Sequence, residues 1–146
     1  MSIRLKIITP EKTIIDQDVD EVVAPGYYGE FGILPGHARY ITILKIGELT
    51  YRSAADEKCL AINWGYADIN QKKMTVLVET AEFEHEIDYN RALDAKQRAE
   101  EELKHLTPID AQYVAAISAL ERAAIRLRVS NRYRSKSSNR TISYNK

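Results

Sequence analysis

Over its first 80 residues the chain alternates apolar and polar positions at a period of two, and beyond Asp88 the period lengthens to that of a helix. Ile3, Leu5 and Ile7 share one face of an extended segment, as do Leu60, Ile62 and Trp64, and Met74, Val76 and Val78. Strands are predicted over residues 3–9, 12–16, 20–24, 40–44, 48–53, 58–64 and 74–78, divided by turn signals such as Pro25-Gly26. Many short strands without intervening helices predict a sandwich or flattened barrel.

In the second part Ala92, Ala95, Ala99, Leu103 and Leu106 recur at spacings of three and four, the stripe of an amphipathic helix over residues 89–105. Asp88 stands at its N-cap, where a carboxylate accepts backbone N–H bonds from the first turn. Thr107-Pro108-Ile109-Asp110 reads as a cap, a first-turn proline and an acid three residues after the cap. It predicts a second helix starting there, with Val114, Ile117, Leu120, Ala124 and Leu127 inward. So short a connection folds the helices back as an antiparallel hairpin. Alanines on both helices let the axes approach closely but bury little apolar area, so the pair can separate or repack. Beyond Ser130 the sequence NRYRSKSSNRTISYNK has no period and is expected to be disordered. The expected organisation is α+β in two domains: a β-sandwich over residues 1–86 and a helical hairpin over 87–130, with a basic tail over 131–146.

The net charge of zero conceals an asymmetry. Residues 1–88 hold nine basic and fifteen acidic side chains, whereas residues 122–146 hold eight basic and none acidic. A basic end on an acidic body suits self-association or an acidic partner. Cys59 is the single cysteine, so a disulfide framework and a thiolate metal cluster are both excluded, and a buried thiol is expected. No apolar run reaches the ~18 residues of a membrane span, and the N-terminus lacks the apolar block of a signal peptide. A soluble protein of a reducing compartment is expected.

One segment departs from ordinary turn chemistry. Gly29-Glu30-Phe31-Gly32-Ile33-Leu34-Pro35-Gly36-His37 sets three glycines and a proline around an apolar trio. It reads either as a tight loop between strands or as a rigid loop presenting Phe31, Ile33 and Leu34 to a partner. His37 has no spaced His or Cys to share a metal with, and is expected to be neutral and hydrogen-bonded.

GEFGILPGH, then Gly47 in LKIGEL, NWGYADI, MTVLVETAE and IDYNRA, in this order, resemble the epsilon subunit of bacterial F-type ATP synthase over residues 1–130. The resemblance implies a ten-stranded β-sandwich and a two-helix hairpin. It implies a non-catalytic central-stalk subunit coupling proton or sodium transport to ATP synthesis. The gamma subunit and the ring of c subunits would be its rotor partners, with Phe31, Ile33, Leu34 and His37 at that interface. The extended hairpin would reach the alpha and beta subunits and inhibit ATP hydrolysis. The complex would hold the chain peripherally on the cytoplasmic face of the bacterial inner membrane. After His37 the chain departs from the family pattern: Ala38 is followed by Arg39-Tyr40 where the family often has a small residue and proline.

IDYNRA also matches the (I/L)DxxRA pattern of epsilon subunits that bind ATP as a regulatory ligand. By that resemblance Glu82, Ile87, Asp88 and Ala92 would lie at the site, with Arg91, Arg98, Arg122 and Arg126 facing the phosphates. The spacing is compatible: Arg91 and Arg98 share one helix face, as do Arg122 and Arg126. The alternative is that these are surface arginines pairing with Glu100, Glu101 and Glu121.

No phosphate-binding GxxxxGK[ST] loop is present, so ATP would be a signal and not a substrate, and no cofactor is required. A stand-alone hydrolase has no nucleophile–base pair to support it. An RNA-binding sandwich with a basic tail is the remaining alternative. It fits poorly, because the sandwich is acidic and the basic residues lie at one end.

Overall fold

The computed structural model describes the backbone of residues 1–144 and the side chains of residues 1–135. It divides into two units, Met1–Phe83 and Glu84–Lys146.

The first unit is a ten-stranded β structure: β1 (Ile3–Ile8), β2 (Thr13–Val19), β3 (Glu21–Gly26), β4 (Gly29–Ile33), β5 (Tyr40–Leu44), β6 (Gly47–Ser53), β7 (Asp56–Ile62), β8 (Gly65–Ile69), β9 (Lys73–Val78) and β10 (Ala81–Phe83). The ladder runs β10-β7-β6-β3-β5-β8-β9-β1-β2, with β4 paired on β3. The β1–β9 pair is parallel and all others are antiparallel. The predicted alternation is realised: Ile3, Leu5 and Ile7 pack with Met74, Val76 and Val78, Leu49, Leu60 and Ile62 in one core. Cys59 is buried, its thiol donating to Glu48 Oε1 at 3.3 Å. Trp64 lies just past the end of β7 and is half-exposed. The two-residue β6–β7 turn places Ala54 at φ 56°, its N–H donating to Asp20 Oδ2 at 2.8 Å.

The second unit holds α1 (Tyr89–Leu103) and α2 (Tyr113–Tyr144) packed against each other. Asp88 caps α1 as its spacing predicts, accepting from the Arg91 N–H at 3.1 Å. Ile87 and Ala92, both buried, stand at the N′ and N4 positions of a hydrophobic staple.

The second helix differs from expectation at both ends. Thr107–Asp110 closes a separate turn, with the Asp110 carboxylate accepting from the Thr107 N–H at 2.7 Å and from its hydroxyl at 3.3 Å. That turn satisfies its own donors, so the helix restarts only at Tyr113. The inward face shifts accordingly. Of the residues expected inward, Leu127 is buried and Ile117 and Leu120 are half-buried, but Val114 is 71% exposed and Ala124 is exposed; Ala116, Ala123, Val129 and Ser130 are buried as well. Ala116, Ala123, Leu127 and Ser130 are separated by 7, 4 and 3 residues, a continuous helical seam. On α1 the buried residues are Ala92 and Ala99, so alanines line both sides of the contact. Beyond Ser130, where disorder is expected, α2 continues to Tyr144. Residues 145 and 146, the end of the expected tail, lie outside the described residues.

Among the described residues no helix is long and apolar enough to cross a membrane.

Candidate functional site

The glycine-rich segment of the first unit is mostly strand. Gly29–Ile33 forms β4, whose register sets Ala24 opposite Phe31 and Val22 opposite Ile33. Val22 and Ala24 face the core, and a period of two brings Phe31 and Ile33 to the same side. Ile33 is 1% exposed and Phe31 is half-buried against the core. The expectation that Ile33 is presented to a partner is therefore corrected: its side chain is core. Leu34, one residue past the strand, is 56% exposed.

The loop after Leu34 turns at Gly36, whose φ of 87° suits a residue without a side chain. Its N–H donates to Gln71 O at 3.0 Å, tying the loop to the β8–β9 turn. His37 Nδ1 donates to Ala38 O at 2.8 Å, since a carbonyl can only accept. Its ring lies 6.4 Å from that of Tyr40, which in turn meets Phe31 edge-on at 5.9 Å.

A second apolar surface lies on the outer face of β5 and β8. Leu44, Ala67 and Ile69 are fully buried, whereas Ile41 is 71%, Ile43 58% and Tyr66 50% exposed. Ile43 pairs directly with Tyr66. Strand β5 thus inverts the usual order, turning isoleucines outward and Thr42 toward the core side. The signal for this is in YITIL, which carries large apolar groups on both faces of a strand. The expected site residues omit all three of these side chains.

Of the residues expected around a nucleotide, Glu82 belongs to the first unit, on β10 opposite Ala61. The others belong to the second. Arg134, late in α2, lies over the ring of Tyr89 at the first residue of α1, with its guanidinium carbon 4.3 Å from the centroid. The two helices therefore run antiparallel. At ~1.5 Å per residue this register sets Arg98 level with the turn of Arg122 and Arg126, and Arg91 about one to two turns beyond Arg126.

Arg91, Arg98 and Arg122 each directly precede a buried seam alanine, Ala92, Ala99 and Ala123, and half-buried Arg126 precedes Leu127. In an antiparallel pair the position before the seam falls on the same flank of both helices. The four arginines thus line one flank. Ala92 is fully buried, its N–H donating to Asp88 O at 3.0 Å.

Two of the three expected neutralising acids have other partners: Glu100 pairs with Lys96 at 3.8 Å and Glu101 with Lys104 at 3.2 Å, with His105 Nε2 3.5 Å from Glu101. Among the described residues Arg91, Arg98 and Arg122 make no ion pair. Arg98 shares a shallow surface depression with Asp94, Gln97 and Glu101. No group of three His, Cys, Asp or Glu among the described residues is placed to hold a metal ion.

Comparison with known proteins places both units. Residues 2–84 match the family described as ATP synthase, Delta/Epsilon chain, beta-sandwich domain, and residues 85–131 match ATP synthase, Delta/Epsilon chain, long alpha-helix domain. The ATP synthase epsilon chain of Geotalea uraniireducens is 50% identical over 127 residues, covering 87% of this chain and 92% of the relative. That of Geobacter sulfurreducens is 49% identical over 130 residues, covering 89% and 94%. Among solved structures, a chain of the Euglena gracilis mitochondrial ATP synthase, OSCP/F1/c-ring, has the same fold, with a TM-score of 0.73 at 24% identity over 82% of this chain and 76% of that one. A chain of the Tetrahymena thermophila mitochondrial ATP synthase central stalk and c-ring aligns with a TM-score of 0.58 at 14% identity over 91% and 96%. With both units matched in order and about half of its residues shared with bacterial relatives, the chain belongs to the epsilon-chain family of ATP synthase, whose members are non-catalytic subunits.

Proposed function

We propose that this epsilon subunit works in the central stalk, where its sandwich is fixed to the rotor and its helical unit is an ATP-responsive brake on hydrolysis. The supporting observation is the row of four arginines on one flank of an antiparallel pair whose buried contact includes four alanines. Guanidinium groups present fixed, planar donors that match phosphate oxygens, and a triphosphate would relieve their mutual repulsion. ATP would therefore bind the packed pair and not the separated one.

That difference in affinity is what lets a ligand shift an equilibrium. At about a hundred times its dissociation constant ATP would favour the packed pair by ~2.7 kcal/mol. The competing extended helices would meet acidic surface in the alpha and beta subunits through arginines at ~0.2–1 kcal/mol for each exposed pair. A handful of such pairs matches the ligand term, so the ATP level can decide which form prevails. Glu82, Ile87 and Asp88 would serve the adenine side, by the family pattern.

On the sandwich, Leu34 and the Ile41–Ile43–Tyr66 surface would face gamma, and the loop around His37 the c-ring. The complex, which carries proton or sodium ions across the bacterial inner membrane, would hold the chain at its cytoplasmic face.

Calorimetric titration of ATP into the isolated chain tests the ligand. Saturable binding that weakens in Arg91→Ala and Arg98→Ala is expected. Absence of binding up to millimolar ATP would reduce the arginine row to surface charge.

A further inference from the structure

The part of α2 beyond residue 131, past the reach of the helix-domain family, makes two contacts back to the start of the same unit. The Arg134 guanidinium stacks over Tyr89 at 4.3 Å, and the Tyr133 ring meets His85 with centroids 6.3 Å apart at 56°. The register set by the Arg134–Tyr89 contact puts residues 133 and 134 level with the first turn of α1, just past Ser130, the last buried residue of α2 among the described side chains, and their two partners flank Asp88 on either side.

We infer that these two contacts are a clasp: Tyr133 and Arg134 hold α2 onto the first turn of α1 and keep the helix pair closed when no ligand is bound. The need for one follows from the seam. Four of the buried positions, Ala92, Ala99, Ala116 and Ala123, bury little apolar surface each, and among the buried residues of α2 only Leu127 and Val129 carry larger apolar side chains. A cation over an aromatic face and a tilted aromatic pair supply attraction where the seam runs out. The location also suits a latch, because α2 must leave the capped turn before the two helices can part. Any effect of the clasp on hydrolysis rests on the brake reading above; the contact itself does not.

The test is native-state hydrogen exchange of α1 backbone amides in the isolated full-length chain, with Arg134→Gln, Tyr89→Leu and the double variant. Each single change should speed exchange about two- to fivefold, the scale of an exposed cation–aromatic contact. The double variant should be no faster than the faster single, since both remove one contact. Arg134→Lys, which keeps the cation, should retain most of the protection and separates loss of the contact from poor folding. Unchanged exchange in the single variants, or a double effect equal to the product of the singles, would overturn the clasp. Tyr89→Leu leaves the charge of the chain unchanged and should deepen inhibition of hydrolysis in the assembled complex at a given ATP concentration. Faster exchange without deeper inhibition would retain the clasp and count against the brake.

Discussion

Replacing Ile41 and Ile43 together with alanine separates binding from folding on the sandwich. Both side chains stand outward on β5, 71% and 58% exposed, so truncating them opens no cavity. Unfolding in urea should then shift by no more than ~0.5 kcal/mol, the range of surface changes. If gamma covers this surface, each isoleucine loses its exposed part to the contact. Full burial of such a side chain is worth ~1.5–3 kcal/mol, so the exposed share is about 1–2 kcal/mol each. The double variant should bind isolated gamma about thirtyfold to a thousandfold more weakly, at 1.4 kcal/mol per tenfold. Ile33→Ala is the contrasting change. At 1% exposure it should cost ~2–5 kcal/mol of stability and weaken gamma binding only through the fold. Biolayer interferometry with immobilised gamma reads the first effect and urea titration the second. A double variant that keeps its stability and binds gamma within about threefold of the parent would remove the β5–β8 surface from the interface.

A fragment of residues 1–83 should fold alone, because its core is drawn from its own strands; β-type circular dichroism with cooperative unfolding would show it. Ala54→Gly should stabilise the chain by ~0.5–1 kcal/mol, since φ 56° in the β6–β7 turn costs an alanine what a glycine does not lose, as urea titration can measure. Asp88→Ala should cost ~1 kcal/mol by leaving the Arg91 N–H uncapped, seen as faster hydrogen exchange in the first turn of α1.

The strands were legible because alternation survives wherever one face is buried: Ile3, Leu5 and Ile7 on β1 and Met74, Val76 and Val78 on β9 all lie in the core. Strand β4 was missed because its glycines read as a loop, though they sit in a strand whose Phe31 and Ile33 face inward. The N-cap at Asp88 is a local matter of one carboxylate and one N–H, and sequence carries it. The start of α2 is a competition: Thr107 and Asp110 form the same side-chain bonds in a closed turn as at a helix entry, so the motif alone cannot choose. The same difficulty hid part of the inward face of α2: Leu127 is buried as its spacing predicts, but with the helix beginning at Tyr113, Ala116 and Ala123 are buried while Val114 and Ala124 face water. Beyond Ser130 the backbone continues as helix to Tyr144, which basic, aperiodic composition does not signal. Of the candidate site, spacing showed the arginine pairs on each helix. Their common flank needs the antiparallel register, which the contact of Arg134 with Tyr89 supplies.

The brake itself is tested most directly by hydrolysis rates of an assembled alpha–beta–gamma head, with and without this chain, as ATP is raised from micromolar to millimolar. The account predicts inhibition by the chain at low ATP that fades as ATP rises, with a variant lacking residues 122–146 assembling normally and inhibiting at neither end. Inhibition that is the same at every ATP concentration, or absent at the lowest, would contradict it.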